Sequence, residues 1–520
     1  MGRPATERGA AAGDAVDPAE RLSRAFSTVI LFVLVGAGTA MRVQGLTALG
    51  LYRDDAWAAM SSRVGIGTAW HMWVTAPGFS FFERSFIALH PQSTWWAQLP
   101  ELAAGVAAIP ATYFLARHFG FGRVAGLALA CIVSVSPICV VYSTRLKEYS
   151  TVFLVSVAVL WAAETARRHP NPTRLTVLSA LSVAAFAVSA SLGPVIAGAW
   201  IALGICVLRS HDHRRAVLVG AATTAALCGV VAAIFYRTVS PALTRFWSGS
   251  YISLDSGFFR AARSSLSSLY ANLLHFTAIA PTGQLVLVVM LLALSVLGAS
   301  RNAAMLGPAC AVVVALCLSA ARRAPLGTGR TDEYLYPVLL LLLASGAVRL
   351  WAAARDHLDP VALRAVGTAT ALVSVALAGA LIGDSIATPT PYPGVDVQAL
   401  ASALGRDAEP SDHVVVGELT RYPWAYYEDR PLRLRFGPDW ATYFTVTSTD
   451  PKVFIVPSEY YEGGSQPTRW ARAFRNDHRL WFVLTPPLSL NPTYAALVHQ
   501  GWHAVRTLHA AGCAAILLER

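Results

Sequence analysis

Charged residues are scarce in this sequence, and lysine is almost missing. Only 14% of the 520 residues are charged, whereas 55% are hydrophobic and the mean hydropathy is +0.49. A soluble protein of this length cannot solvate so apolar a chain, so the composition indicates a membrane protein. Lysine occurs only at Lys147 and Lys452, and arginine therefore carries nearly all of the positive charge.

The net charge of +11 forms neither a basic face nor a basic tail. Instead, the arginines lie in short clusters between apolar runs. This arrangement argues against a nucleic-acid partner and favours a role for the arginines in membrane topology.

Cysteine pairs are missing as well. Six of the seven cysteines lie inside apolar runs, where a thiol behaves as a small hydrophobic group, and only Cys513 lies outside them. One cysteine cannot form a disulfide within the C-terminal part of the chain. The sequence also contains no CxxC or Cys/His spacing that would predict a metal site.

What the sequence does contain is a series of apolar runs. A helix needs ~20 residues to cross the hydrocarbon core of a membrane, and glycine or proline is tolerated inside it. The sequence predicts about eleven transmembrane helices, at 26–46, 97–117, 122–142, 150–166, 174–191, 194–209, 215–236, 281–299, 303–320, 334–352 and 363–384.

The arginine clusters predict the orientation of these helices. Residues 1–25 are polar and contain four arginines, which indicates a cytoplasmic tail followed by a retained signal anchor. With this orientation, every predicted inner loop is short and basic. We therefore expect a multi-pass protein of the plasma membrane, with a transmembrane module at 26–385. Its predicted extracytoplasmic segments are 47–96, 143–149, 237–280, 321–333 and the part after residue 385.

The composition changes after the last apolar run. Short β-rich runs at 412–417, 453–456, 480–484 and 515–518 alternate with helical patterns, which predicts an extracytoplasmic α/β domain at 386–520. Segment 79–90 is too short and too charged to span a membrane, and its aromatic residues favour a helix in the interface.

The predicted outer segments contain charges that membrane topology does not explain. Asp54 and Asp55 follow the first span, where carboxylates are costly unless they have a function. The alternative is a solvated pair or a helix N-cap, with about equal weight.

Positive charges occur in two further predicted outer segments. Segment 143–149 contains Arg145 and Lys147 beside Glu148, and segment 321–333 contains Arg322, Arg323 and Arg330 among glycines. Cations on the outer side are exceptions to the positive-inside rule, and we therefore expect them to have anionic partners. Contact with lipid phosphates is a competing explanation. An acidic pair facing fixed cations suits a reaction with a phosphate leaving group and a general base.

Four segments resemble, in order along the chain, motifs of the GT-C glycosyltransferases of the protein-mannosyltransferase-like superfamily. Segment 51–57 (Leu-Tyr-Arg-Asp-Asp-Ala-Trp) resembles the first-loop motif L-W-x-D-E-A-W, and segment 76–83 resembles the juxtamembrane helix of one bacterial subgroup. Segment 136–150, with Tyr-Ser-x-x-x-Lys-x-Tyr-Ser, resembles the next span and second loop. Segment 325–337, with Pro-Leu-Gly-x-Gly-Arg, resembles a late-loop motif.

The resemblance implies a polytopic enzyme that uses a polyprenyl-phosphate-linked sugar and has a glycan, a lipid or a protein as its acceptor. Asp54 takes the position of the catalytic aspartate, and Asp55 takes that of the following glutamate. Relatives often carry a glutamate at the position of Arg145, and some carry an aspartate at that of Thr151, whereas this chain has neither carboxylate. A divalent metal is therefore possible but not required, with Glu148 as a substitute ligand.

The resulting hypothesis is an inverting transfer in which Asp54 deprotonates the acceptor hydroxyl and Asp55 assists. The candidate ligands of the donor phosphate are Lys147, Arg330, Arg322, Arg323, Arg145 and Tyr149, although packing is the favoured role for Tyr149. The candidates for the substrate groove are Glu83, Glu148, Arg245 and Trp247, although the aromatic side chains also suit anchoring in the membrane interface.

Two other functions fit parts of the sequence. A transporter or flippase of lipid-linked saccharides would also be polytopic, but it should carry charges near the middle of its spans and a repeat between its halves. An inactive relative that binds an envelope partner would retain the fold and bind the donor without turnover.

Overall fold

The structure is a computed structural model of the chain. It describes residues 18–46, 49–72, 77–91, 93–210, 213–235, 247–252, 257–274, 290, 293–299, 302–387, 394–428, 432–437, 444–457, 466–486 and 491–520. Among these residues, helices predominate up to residue 387, and this part is here called the helical module. Strands and short helices form residues 394–520, here called the C-terminal domain.

The helical module consists of long apolar helices joined by shorter ones. Its described helices are α1 (Pro18–Val43), α2 (Arg53–Ala59), α3 (Ile66–Ala69), α4 (Pro77–Ile87), α5 (Thr94–His118), α6 (Arg123–Val135), α7 (Pro137–Tyr142), α8 (Tyr149–Arg168), α9 (Pro172–Val188), α10 (Gly193–Ser210), α11 (Arg214–Phe235), α12 (Phe258–Leu274), α13 (Leu306–Ala320), α14 (Tyr336–His357) and α15 (Pro360–Ala387).

Seven helical segments among the described residues are long and apolar enough to cross a membrane. They are Arg24–Val43, Thr94–His118, Tyr149–Arg168, Ala190–Leu208, Arg214–Ile234, Ala303–Ala320 and Glu333–His357. Helices α6, α9 and α15 coincide with three further predicted runs, and most of the predicted run 281–299 lies outside the described residues. The multi-pass architecture is therefore confirmed, while the number of eleven spans stays a prediction.

One predicted span is divided in the structure. The run 122–142 forms α6 and α7, with an extended backbone (φ −60°, ψ 121°) at Ser136 between them. Pro137 explains the break, because proline has no N–H to donate and disfavours the helical conformation at the residue before it. The break ends the first helix early and directs α7 towards the loop at 143–149.

The core of the helical module is apolar and closely packed. Ile109, Val133, Leu160 and Leu339 are each at most 2% exposed and belong to one hydrophobic cluster. Small residues allow backbones to approach in such bundles. A side chain at Gly346, for example, would place its Cβ 1.9 Å from the carbonyl oxygen of Leu294.

The C-terminal domain contains two sheets flanked by short helices. Its helices are α16 (Val397–Asp407), α17 (Arg421–Tyr427), α18 (Gln466–Arg472) and α19 (Pro492–His499). Its strands are β1 (His413–Val416), β2 (Leu432–Phe436), β3 (Phe444–Ser448), β4 (Val453–Ile455), β5 (Arg479–Leu484), β6 (His503–Ala510) and β7 (Cys513–Glu519).

The larger sheet has the strand order β4-β1-β5-β7-β6, in which β1 is parallel to β4 and β5 while β7 is antiparallel to β5 and β6. Strands β2 and β3 form a separate antiparallel pair. The predicted α/β class is confirmed, and the four predicted runs correspond to β1, β4, β5 and β7. Strands β2, β3 and β6 were not predicted, and β6 is largely exposed and lacks a buried apolar run.

One face of the larger sheet packs against the helical module. Val416 and Trp481 of this face share a hydrophobic cluster with Leu51, Met60 and Leu146 of the module. Residues on the opposite face, such as Phe482, form a cluster within the C-terminal domain. The C-terminal domain therefore packs on the segments that flank Asp54 and Lys147.

Candidate active site

The two adjacent aspartates lie in the first turn of α2. Tyr52 has an extended backbone and α2 begins at Arg53, so Asp54 and Asp55 point in different directions from the helix. The Asp54 side chain is 23% exposed, whereas that of Asp55 is only 4% exposed. The two carboxylates therefore have different environments.

Asp54 lies between two cations from distant parts of the chain. Its Oδ2 is 3.1 Å from Nη1 of Arg330 and 4.0 Å from Nζ of Lys147. Arg330 comes from the loop between α13 and α14, and Lys147 from the loop between α7 and α8. Three predicted site residues thus converge at one place.

The loop that carries Arg330 has a fixed conformation. Gly327 and Gly329 have φ angles of 79° and 77°, a backbone conformation that residues other than glycine rarely adopt. The carboxylate of Asp332 accepts hydrogen bonds from the N–H groups of Thr328 at 2.7 Å and Gly329 at 3.1 Å. Burial raises the pKa of Asp332 to about 6, although these hydrogen bonds oppose the shift. The loop therefore holds Arg330 beside Asp54.

Both cations also lie against aromatic rings. The ammonium of Lys147 is 4.7 Å from the ring centre of Trp57, and the guanidinium of Arg330 is 5.0 Å from that of Trp247. Tyr422 of α17 stacks on Trp57 at 6.3 Å. The negative face of each ring attracts the cation beside it and so helps to hold that side chain in place.

Asp55 connects α2 to the loop at 143–149. Its Oδ2 is 3.1 Å from Nη2 of Arg145, and its Oδ1 accepts a hydrogen bond from the N–H of Leu146 at 3.0 Å. Burial raises the pKa of Asp55, while Arg145 and the Leu146 N–H oppose this shift. Asp55 thus fixes the backbone next to Lys147, and we interpret it as a residue that positions Lys147.

The charges around Asp54 determine its protonation. Burial raises the pKa of Asp54, but the charges of Lys147, Arg330 and Arg53 outweigh that effect and lower it to about 2. Burial lowers the pKa of Lys147, and Asp54 opposes this shift. The site therefore holds an ionised carboxylate among cations that can also bind an anion.

Two charged residues beside the loop at 143–149 were not among the predicted site residues. Glu101 of α5 accepts hydrogen bonds from the N–H groups of Ser150 at 2.7 Å and Thr151 at 3.2 Å. These N–H groups lie in the first turn of α8 and have no acceptor within the helix. Arg42 of α1 is fully buried and donates a hydrogen bond to Oγ of Ser143 at 2.9 Å. Both residues lie inside predicted apolar runs, where a charge is costly, and this position could have marked them as residues with a role.

Arg53 is a further residue that sequence reasoning missed. Its Nη2 lies 3.1 Å from Oε1 of Glu418 in the C-terminal domain, and its charge helps to lower the pKa of Asp54. Glu418 comes after β1, 365 residues later in the chain. Sequence spacing alone could not pair these two residues.

Two groove candidates, Glu83 and Glu148, lie near the site, where Glu83 is buried and Glu148 is partly buried. Burial raises the pKa of Glu83 well above its usual value, and Glu148 and Glu101 raise it further. Burial also raises the pKa of Glu148 to about 7. In the part of the chain that the structure describes, no group of three or more His, Cys, Asp or Glu residues could hold a metal ion. The possible divalent metal therefore has no described site.

The remaining candidates lie in varied places. Tyr149 packs its ring against Tyr142, with ring centres 4.5 Å apart. Arg322 and Arg323 are exposed after the end of α13, and neither contacts Asp54. Arg245 lies outside the described residues.

Comparison with known proteins gives a structural likeness only. Neither a protein-family model nor a curated protein sequence matches the chain. The crystal structure of ArnT from Cupriavidus metallidurans in the apo state is similar, with a TM-score of 0.52 and 14% sequence identity, over 96% of this chain and 98% of that chain.

Two further solved structures have lower scores. ArnT from Cupriavidus metallidurans bound to undecaprenyl phosphate has a TM-score of 0.48 and 15% identity, over 97% of this chain and 98% of that chain. The Archaeoglobus fulgidus oligosaccharyltransferase, in complex with zinc and sulfate, has a TM-score of 0.47 and 11% identity, over 87% of this chain and 67% of that chain. The likeness to apo ArnT extends over nearly the whole of both chains, and this chain therefore shares the fold of that structure.

Proposed function

We propose that the protein is a glycosyltransferase that moves a sugar from a polyprenyl-phosphate donor to an acceptor hydroxyl. The observation that carries the proposal is the position of the Asp54 carboxylate, 3.1 Å from Arg330 and 4.0 Å from Lys147. This arrangement offers a general base and a phosphate-binding pair in one place. The resemblance of the surrounding loops to GT-C motifs supports the same reaction.

In the proposed reaction, Asp54 takes the proton of the acceptor hydroxyl as its oxygen attacks the anomeric carbon. The new C–O bond forms on the face opposite the phosphate, so the anomeric configuration inverts. The bond between the anomeric carbon and the phosphate oxygen breaks, and polyprenyl phosphate leaves with the electron pair. General-base catalysis of this kind contributes ~10²–10⁴-fold to the rate.

The same cations would regulate the strength of the base. Without a donor, Lys147 and Arg330 pair with Asp54, and a carboxylate with a pKa of about 2 is a weak base. A bound phosphate would attract both cations and reduce their effect on Asp54. The pKa of Asp54 would then rise towards the ordinary value of ~3.9, so proton removal becomes more favourable once the donor is bound.

Other residues would position the reactants. Asp55 holds the backbone at Leu146 and thereby the adjacent Lys147. Trp247 lies against Arg330 and would form one wall of the donor site. Glu83 and Glu148 would contribute carboxyl groups beside the site that can accept hydrogen bonds from sugar hydroxyls.

The proposal includes an orientation in the membrane. We infer from the arginine clusters that residues 1–25 lie in the cytoplasm and that the C-terminal domain lies outside the cell membrane. Asp54 and the segments at 143–149 and 321–333 would then face the extracytoplasmic side, where a lipid-linked donor and a glycan, lipid or protein acceptor can meet.

The decisive experiment has a cellular part and a purified part. Envelope glycans and lipid-linked sugars are compared in cells with and without the protein, and the lipid-linked sugar that accumulates is then supplied to purified protein in nanodiscs. Sugar transfer by the wild type, and its loss in Asp54→Asn, is the expected result. Unchanged glycans and lipid-linked sugars in cells without the protein would contradict the proposal.

A further inference from the structure

The C-terminal domain contains a cleft of about 720 Å³ that none of the proposed active-site residues lines. Gln398 and Ser402 of α16 form one wall, and Trp424 and Tyr427 of α17 form another. Cavities between about 300 and 1,000 Å³ are typical of sites for small molecules. The cleft is therefore large enough to enclose a short chain of sugar units.

The polar groups of the cleft are mainly hydrogen-bond acceptors. Its lining includes the carboxylates of Glu409, Glu428 and Asp450 and the edge of the buried Asp412, against one cation, Lys452. A ligand of this cleft must therefore supply donors, as a hydroxyl-rich molecule does. The excess of carboxylates disfavours phosphate, which separates this cleft from the cationic site at Asp54.

Part of the acidic charge is already compensated. Arg479 lies 3.2 Å from Oδ1 of Asp412 and also pairs with Glu409, while Oδ2 of Asp412 accepts a hydrogen bond from Nε1 of Trp481 at 3.0 Å. This compensation reduces the attraction for a cation and leaves a polar surface that suits an uncharged ligand. Trp424 and Tyr427 lie in the wall with only 7% of each residue exposed, so they add a small aromatic area to the mainly polar lining.

The cleft continues towards the helical module. A second cavity of about 200 Å³ shares Gln398 and Tyr427 with it and is also lined by Thr94 and Trp95 of α5. Tyr427 accepts a hydrogen bond from the N–H of Leu51, three positions before Asp54. A chain bound in the cleft would thus extend towards the segment that carries the proposed base.

We propose that this cleft binds a neutral oligosaccharide, and that this oligosaccharide is the sugar chain of the acceptor. Binding of the saccharide stands on the cleft alone, whereas its role as acceptor rests on the proposed transferase function. Helix α17 connects the two sites, because Trp424 and Tyr427 line the cleft while Tyr422 stacks on Trp57 beside Lys147.

The experiment measures binding to full-length protein in nanodiscs, without donor, by saturation-transfer NMR and calorimetry. The probes are maltotriose, mannotriose, galactotriose and arabinotriose, with spermidine as a cationic probe. Ser402→Trp fills the cleft from an exposed helix position, and Gln398→Ala removes a hydrogen-bonding group. Ala399→Trp is the matched control, because Ala399 is exposed on the same helix but does not line the cleft.

The wild type is expected to bind at least one trisaccharide. Ser402→Trp should abolish this binding, Gln398→Ala should weaken it by about tenfold, and Ala399→Trp should leave it unchanged. The proposal is overturned if no trisaccharide binds, if Ser402→Trp binds as well as the wild type, or if only spermidine binds.

The two proposals fail in distinguishable ways. Asp54→Asn should bind the trisaccharide like the wild type, because Asp54 does not line the cleft. In a transfer assay, Ser402→Trp should raise the KM for the acceptor without changing that for the donor. Trisaccharide binding without any sugar transfer by the wild type would refute the acceptor role and leave the saccharide site.

Discussion

The phenol oxygen of Tyr427 in the C-terminal domain accepts a hydrogen bond from the main-chain N–H of Leu51 at 2.9 Å. The same oxygen lies 2.7 Å from the hydroxyl of Thr94, the first residue of α5. All three residues are buried. One hydroxyl group thus joins the C-terminal domain to α5 and to the segment immediately before α2.

Replacement of Tyr427 by phenylalanine should weaken this connection. The Leu51 N–H would remain buried without a partner, which costs roughly 1–3 kcal/mol. We expect a lower thermal unfolding temperature in nanodiscs and slower transfer, because Asp54 follows Leu51 by three positions. Tyr494→Phe is the control, since the Tyr494 ring packs against Phe482 within the C-terminal domain. Equal unfolding temperatures for the two variants would contradict the inference.

Asp54→Asn separates the proposed base from the phosphate site. The variant cannot take a proton, so transfer should fall by roughly 10²–10⁴-fold. Donor binding should remain or improve, because Lys147 and Arg330 no longer pair with a carboxylate. Transfer rates and donor affinity, measured on the same nanodisc preparation, test both statements. A variant that transfers sugar at the wild-type rate would exclude Asp54 as the base.

The structure distinguishes Arg330 from the two other arginines of its loop region. Arg330→Ala should weaken donor binding by about tenfold or more, because a charge-assisted hydrogen bond contributes roughly 1.5–3 kcal/mol. Arg323→Ala should change it by less than about twofold, since Arg323 is exposed and does not contact Asp54. Arg433→Ala, at an exposed position of β2, is the control. Equal losses in the Arg323 and Arg330 variants would contradict this distinction.

The sequence was most informative at charged residues close to the predicted membrane spans. Asp54, Lys147 and Arg330 could be selected because membrane topology does not explain charges in the predicted outer loops. The structure brings these three residues together. Their catalytic roles remain predictions. The sequence alone could not separate Arg330 from Arg322 and Arg323, because Arg330 reaches Asp54 only through the turn at Gly327 and Gly329.

Other features depend on contacts between distant segments. Glu101 supports α8 from within α5, and Arg53 pairs with Glu418, so neither role can be read from local sequence. The mostly exposed strand β6 has no buried apolar pattern to reveal it, yet it pairs with the buried strand β7. The fold class follows from the long apolar runs and the later β-rich runs, whereas the supporting residues follow only from tertiary packing.

Loss of the buried carboxylate of Asp55 should destabilise the fold far more than loss of a carboxylate from an exposed ion pair. Asp55→Ala leaves Arg145 and the Leu146 N–H without their carboxylate partner, and breaking such a buried pair costs roughly 3–5 kcal/mol. Asp407→Ala breaks the more exposed pair with Arg506, worth at most about 1 kcal/mol. Thermal unfolding in nanodiscs should therefore show a large decrease for Asp55→Ala only. Similar decreases for both variants would argue against the positioning role of Asp55.

Glu148 should make the stability of the folded protein depend on pH. Burial raises its pKa to about 7 in the folded state, whereas an unfolded chain has a glutamate pKa of ~4.3. The folded state therefore binds the proton more tightly, and the stabilisation that is present below ~4.3 is lost as the pH rises through about 7.

Glu148→Gln cannot titrate, so its unfolding temperature should fall less than that of the wild type between pH 5 and pH 8. Asp54→Asn is the control for this comparison. The pKa of Asp54 is about 2, so this residue stays ionised throughout the range and its replacement should leave the slope unchanged. The measurement is the unfolding temperature in nanodiscs at several pH values. A wild-type slope in Glu148→Gln would mean that another group, such as Asp332 with its pKa of about 6, causes the pH dependence.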